Sequence, residues 1–177
     1  MTTLTSGHTS LRGFLLFLLL LYLFLTSLKK KNHLSKVITQ DKTVIEVYFL
    51  LLHKGFNMRQ AMFITAQAGH ETANFKSKIF KENNNCFGMK LALIRKTTAT
   101  GEKYGHATYK TLKDCIDDFY LYYLSFKYLK EYKNISDYVA ALKKRDYFTA
   151  SEYEYLAGCE YWFSKYFSVE ETQGNVT

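Results

Sequence analysis

Apolar residues run without a charge from Gly13 to Leu28, and after residue 40 they recur at helical intervals instead. Val44, Val47, Tyr48 and Leu51 repeat at three- and four-residue spacing behind Asp41, a capping residue, and the pattern closes at Lys54 and Gly55. That predicts a helix. Asn57 opens a second, MRQAMFITAQAGHET, whose Ala and Met content marks it for burial. From Asn83 to Tyr109 the helical period vanishes. Asn, Gly and the short alternating runs CFGMKLA and GHATYKT predict loops around a small β-hairpin. Thr111 begins T-L-K-D, a capping-box-like start, and Leu112, Ile116, Phe119, Tyr120 and Tyr123 mark one face of a third helix. Ser136 starts a short helix to about Arg145, and Thr149 with Glu152 caps a last one carrying Tyr155, Cys159, Trp162 and Phe163. Two helices, a small β region and three more helices make an α+β domain.

The run GFLLFLLLLYLFLTSL divides the chain into an N-terminal hydrophobic segment with a basic flank, residues 1–36, and a body, residues 37–177. Sixteen residues of helix span roughly 24 Å, short of a hydrocarbon core of about 30 Å but within reach of local thinning. No small-x-small site follows Leu25, so an uncleaved membrane anchor is preferred over a signal peptide. Localisation at the membrane and cell envelope follows as an expectation. The orientation stays open, because four lysines follow the run and the positive-inside rule would keep the body in the cytoplasm.

The net charge of +8 invites a nucleic-acid reading, but its distribution argues against one. Residues 1–40 carry five bases and no acid, while the body carries 19 bases against 16 acids and shows no basic stripe with interleaved aromatics. The 15 Tyr and 14 Phe supply core, and also flat rings of the kind that pack on sugar faces. Cys86, Cys115 and Cys159 show no C-x-x-C and no His at ligand spacing. Buried free thiols are expected, and a Cys115–Cys159 bridge stays open for an exported domain. No metal or organic cofactor is called for.

Glu71 stands out chemically. It ends an otherwise uncharged run, Ala61 to Ala73, in which His70 is the other titratable group. The negative end of the helix dipole and apolar neighbours both disfavour its ionised form and raise its pKa. Glycoside cleavage needs such an acid to protonate the leaving oxygen near neutral pH.

The residues around Glu71 extend the argument. AQAGHET (66–72), NFKSKIF (74–80) and NNNCFGMK (83–90) closely resemble the signature of the glucosaminidases of glycoside hydrolase family 73. There a Glu-Ser/Thr helix end precedes an Asn-Asn-x-Phe-Gly-x-Lys loop. Tyr109-Lys110-Thr111, the Asp117–Tyr120 stretch and DYFTASEY (146–153) resemble further segments in matching order, from about Thr43 to Phe167. The resemblance implies a lysozyme-like fold that cuts the N-acetylglucosaminyl-β-1,4-N-acetylmuramyl bond of peptidoglycan, with glycan strands as the partner. It implies that Glu71 is the general acid. It places Asn84, Asn85, Phe87, Gly88, Tyr109 and Tyr147 at the substrate-binding cleft. Glu102, between the presumed strands, stands where the family often has a second Glu; the substrate's own 2-acetamido group is the alternative. Ala73 departs from a Gly common after the Glu-Ser/Thr pair, and Ala150-Ser151 from an Asp-Pro. Two rival functions remain: a lytic transglycosylase on the same fold, and a non-catalytic glycan-binding envelope or virion protein.

Overall fold

The computed structural model describes residues 41–125 and 132–167. The apolar run 13–28 and its basic flank lie outside them, as do residues 126–131 and 168–177. Among the described residues no helix is long and apolar enough to cross a membrane. The elements are α1 (Lys42–Lys54), α2 (Met58–Glu71), α3 (Lys78–Asn83), β1 (Gly101–Lys103), β2 (His106–Thr108), α4 (Leu112–Leu124), α5 (Ile135–Lys143) and α6 (Glu152–Phe167). The two strands pair antiparallel with Glu102 opposite Ala107. A mostly helical chain with one small antiparallel sheet is an α+β domain.

The helices start where side chains satisfy their first free N–H groups. Asp41 Oδ1 accepts from the Thr43 and Val44 amides at 2.9 and 3.3 Å. Asn57 and Gln60 close a reciprocal capping box at 2.9 and 3.2 Å, and Thr111 and Asp114 close another at 3.2 and 3.0 Å. Each such cap is worth about 1 kcal/mol. Helix α2 forms the centre. Ala61, Ile64, Ala66 and Ala68 on it are fully buried, and it packs against α1 and α6. Helix α4 packs on α1, and α5 on α6. A buried polar pair crosses this core, the Tyr138 hydroxyl donating to Gln67 Oε1.

Several boundaries differ from the expected ones, each for a local reason. The six-residue α3 has no apolar period to betray it and is nucleated by Ser77, whose Oγ accepts from the Phe80 amide at 3.1 Å. The run CFGMKLA forms no strand. Helix α5 starts at Ile135 because Asn134, not Ser136, is its cap. For α6, both Thr149–Glu152 and Ser151–Glu154 read as capping boxes. The chain uses the second, with the Glu154 amide donating to Ser151 Oγ at 3.2 Å and the Ser151 amide to Glu154 Oε2 at 3.3 Å. All three cysteines are buried and free. The neighbour of Cys115 is Cys86, at 3.5 Å between sulfurs, and the Cys115–Cys159 bridge is not formed.

Candidate active site

Glu71 is the last residue of α2, and the chain beyond it turns in an unusual way. Thr72 Oγ1 donates back to the Ala68 carbonyl at 2.6 Å and accepts from the Phe75 amide at 2.8 Å. Ala73, Asn74 and Phe75 between these anchors have φ of 48°, 59° and 60°, three successive non-glycine residues on the left-handed side. The Tyr166 hydroxyl donates to Asn74 Oδ1 at 2.5 Å and ties the turn to α6. A carboxylate at a helix C-terminus is thus held by a turn that is itself pinned from two sides.

The loop after α3 closes the other side. Three consecutive asparagines bind backbone rather than open space. Asn83 Nδ2 donates to the Lys103 and His106 carbonyls at 2.8 and 3.3 Å, and Asn84 Nδ2 to those of Tyr109 and Lys110 at 3.0 and 3.3 Å. Asn85, fully buried, donates to the Met89 and Ala107 carbonyls at 2.8 and 2.9 Å and accepts from the Phe87 and Met89 amides at 3.2 and 3.1 Å. These bonds lock the hairpin to the loop and bring Gly88 against the acid. Gly88 has φ of 62°, and a Cβ on it would lie 3.3 Å from Glu71 Oε2. Its carbonyl accepts from His106 Nδ1 at 2.9 Å, which faces the His106 ring toward the same region.

Helix α6 and the segment before it complete the site. The Tyr155 hydroxyl donates to Glu71 Oε1, and the Tyr147 hydroxyl donates to the Phe87 carbonyl at 2.6 Å. Phe87 itself is buried and stacks on Phe119 with centroids 4.0 Å apart. Glu71, Gly88, Tyr122, Tyr147, Phe148 and Tyr155 all line one cleft of about 710 Å³. Lys90, Arg95 and Arg145 add positive charge to its wall, and Asp146 adds a second carboxylate.

Burial raises the pKa of Glu71 above the ordinary carboxylate value, while the Tyr155 bond and the nearby His106 pull it part of the way back. Burial lowers His70, and raises the phenols of Tyr147 and Tyr155. A carboxyl withdrawn from water in a cleft of aromatic rings holds its proton to higher pH than an exposed one and can hand that proton to a bound oxygen.

The residues expected at the site are only partly brought together. Glu71, Phe87, Gly88 and Tyr147 line the cleft, but the Asn84, Asn85, Tyr109 and Glu102 side chains are not part of its lining. Asn84 and Asn85 spend their amides on the backbone, so they shape the loop that presents Gly88 instead of facing a ligand. Tyr109 is buried with its hydroxyl on Asp118 Oδ2 at 2.8 Å. Glu102 lies exposed on β1. Tyr155, His106 and Tyr122 were not singled out as site residues from sequence. A 3–4 repeat cannot tell a core Tyr from one whose hydroxyl meets a carboxylate 84 positions away. Among the described residues no group of three or more His, Cys, Asp or Glu could hold a metal ion.

No curated protein and no solved structure matches the chain. A family model does: that of the glucosaminidase domain, described as mannosyl-glycoprotein endo-beta-N-acetylglucosaminidase, over residues 50–158. That span runs from the end of α1 into α6 and contains the acid, the asparagine loop and the hairpin. The chain belongs to this glucosaminidase family and is, at that level, a glycoside hydrolase.

Proposed function

We propose that the chain is a peptidoglycan hydrolase of the cell envelope, an endo-β-N-acetylglucosaminidase of lysozyme-like architecture that cuts the N-acetylglucosaminyl-β-1,4-N-acetylmuramyl bond with Glu71 as general acid. The observation that carries this reading is the carboxyl of Glu71, raised in pKa by burial and placed in a cleft of about 710 Å³ lined by aromatic rings. Glu71 protonates the glycosidic oxygen as the C1–O bond breaks. The oxocarbenium character that develops at C1 then needs a partner. With Glu102 on the exposed hairpin, the 2-acetamido group of the N-acetylglucosaminyl residue is the better-supported nucleophile, opened afterwards by water.

The test is incubation of the purified chain and its Glu71→Gln variant with peptidoglycan, followed by analysis of new ends. Fragments with reducing N-acetylglucosamine from the parent alone establish both the reaction and its acid. Products ending in 1,6-anhydro sugar would make it a lytic transglycosylase. Equal glycan binding by both proteins without turnover would make it a binding scaffold.

A further inference from the structure

The two oxygens of Glu71 are in different surroundings. Oε1 accepts the Tyr155 hydroxyl from α6, and Oε2 faces Gly88, where a Cβ would come within 3.3 Å. Tyr155 stands two residues beyond the 146–153 run that carried the resemblance, and its ring is fixed on both sides. Phe148 stacks on one face, centroids 3.7 Å apart and 1° from parallel. His70 meets it at right angles with centroids 4.8 Å apart. The His70 ring fits there because residue 158 is glycine; a Cβ at that position would collide with it. Tyr155 is 4 % exposed, and these two ring contacts hold its hydroxyl on Glu71.

From this geometry we infer that Tyr155 is a positioning residue that reserves Oε1 of Glu71 as an acceptor, so that the acid carries and delivers its proton from Oε2, on the Gly88 side. A phenol that donates to one carboxyl oxygen leaves the other as the hydroxyl oxygen of the neutral acid. The proton on Oε2 passes to the glycosidic oxygen, which leaves as the hydroxyl of the departing sugar, and Glu71 is left as a carboxylate still bonded to Tyr155. The phenol cannot compete as the acid. Burial, Tyr147 and Glu71 itself all hold its pKa far above the ordinary tyrosine value. The same bond stabilises the carboxylate and, with His106 on β2, opposes the burial that raises the pKa of the acid; Tyr147 before α6 and Cys159 on α6 also feel its charge, which raises their own pKa values. Lys90, Arg95, Arg145 and Asp146 also face the cleft. The inference rests on Glu71 being the acid.

Tyr155→Phe keeps the ring, its stack on Phe148 and its contact with His70, and removes only the hydroxyl. The expected result is a kcat on the acid plateau about tenfold lower with KM within about twofold, because the proton is no longer confined to one oxygen. The basic limb of the pH–rate profile moves up by about one pH unit, since the carboxylate has lost a donor. Carbon-13 NMR titration of Glu71 in both proteins reads the same upward shift without any substrate. An unmoved Glu71 titration and an unmoved limb overturn the inference. So does a loss of kcat that merely follows a lower melting temperature. Undiminished turnover by Glu71→Gln defeats the parent reading instead, and the NMR titration keeps the two failures apart.

Discussion

Two carboxylates of this domain are withdrawn from water and end up on opposite sides of their ordinary pKa. Asp118, on α4, has a fully buried side chain. Arg95 grips it at 2.6 and 3.1 Å, and the Tyr109 hydroxyl donates to it at 2.8 Å. Burial opposes its charge, but those donors win and hold the carboxyl below the usual range. Glu71, at the end of α2, meets the same opposition from burial and has only a neutral phenol and a more distant histidine in return, so its pKa rises. Burial alone therefore decides neither charge state. A guanidinium in bidentate contact converts a desolvated acid into a structural anion, and its absence leaves a desolvated acid able to carry a proton. The two also stabilise the fold in opposite pH windows. Asp118, with its depressed pKa, contributes stability above the unfolded value and loses it as pH falls through the folded one. Glu71, with its raised pKa, contributes stability below the unfolded value and loses it as pH rises through the folded one.

The sharpest way to break the comparison is to neutralise each acid in turn. Glu71→Gln keeps an acceptor for Tyr155 but removes the proton, and kcat on peptidoglycan is expected to fall by about 10³-fold or more. The same variant should melt higher than the parent at pH 7 and no higher at pH 4, because it removes a group whose ionisation the fold resists. A melting temperature unchanged at both pH values would contradict the raised pKa. Asp118→Asn should do the reverse, costing about 3 kcal/mol in urea unfolding at neutral pH because the Arg95 charge loses its partner. Its effect on turnover per folded molecule should be small by comparison, and the stability difference should shrink as the parent is taken to low pH.

How much of this was legible beforehand follows from which signals are local. The caps at Asp41, Asn57 and Thr111 and the burial of α2 could be read because each needs only neighbours within four residues. Glu71 could be singled out because an acid in an uncharged run is conspicuous on any fold. The asparagine loop was recognised, but the partners of its amides were not. Asn84 and Asn85 reach carbonyls up to 26 positions away, and no spacing announces that their amides face backbone instead of a ligand. Tyr155 and Arg95 were missed as site residues for the same reason, since their partners lie 84 and 23 residues off.

A smaller effect is expected at the turn that carries Glu71. Ala73 occupies φ of 48°, a conformation that costs an L-residue with a Cβ about 1 kcal/mol and glycine almost nothing. Ala73→Gly should therefore stabilise the fold by up to about 1 kcal/mol, the extra freedom of glycine in the unfolded chain taking back part of the gain. The variant should leave kcat within about twofold, because Thr72 and Asn74 still anchor the turn. A drop in stability would mean that Ala73 makes a contact worth more than its strain.

The least effect belongs to Glu102, a third acid that sharpens the contrast by being neither buried nor paired in the same way. It is exposed on β1 and stands outside the lining of the cleft that holds Glu71. If the acetamido group supplies the nucleophile, Glu102→Gln should change kcat by less than about twofold and leave stability within about 0.5 kcal/mol, as for an ordinary surface site. A loss of 100-fold or more would show that the hairpin brings this carboxylate over the bound sugar during the reaction. Glu102 would then be the base across the cleft, and retained versus inverted configuration at C1, read by NMR of the first-formed product, would tell whether it activates water or attacks directly.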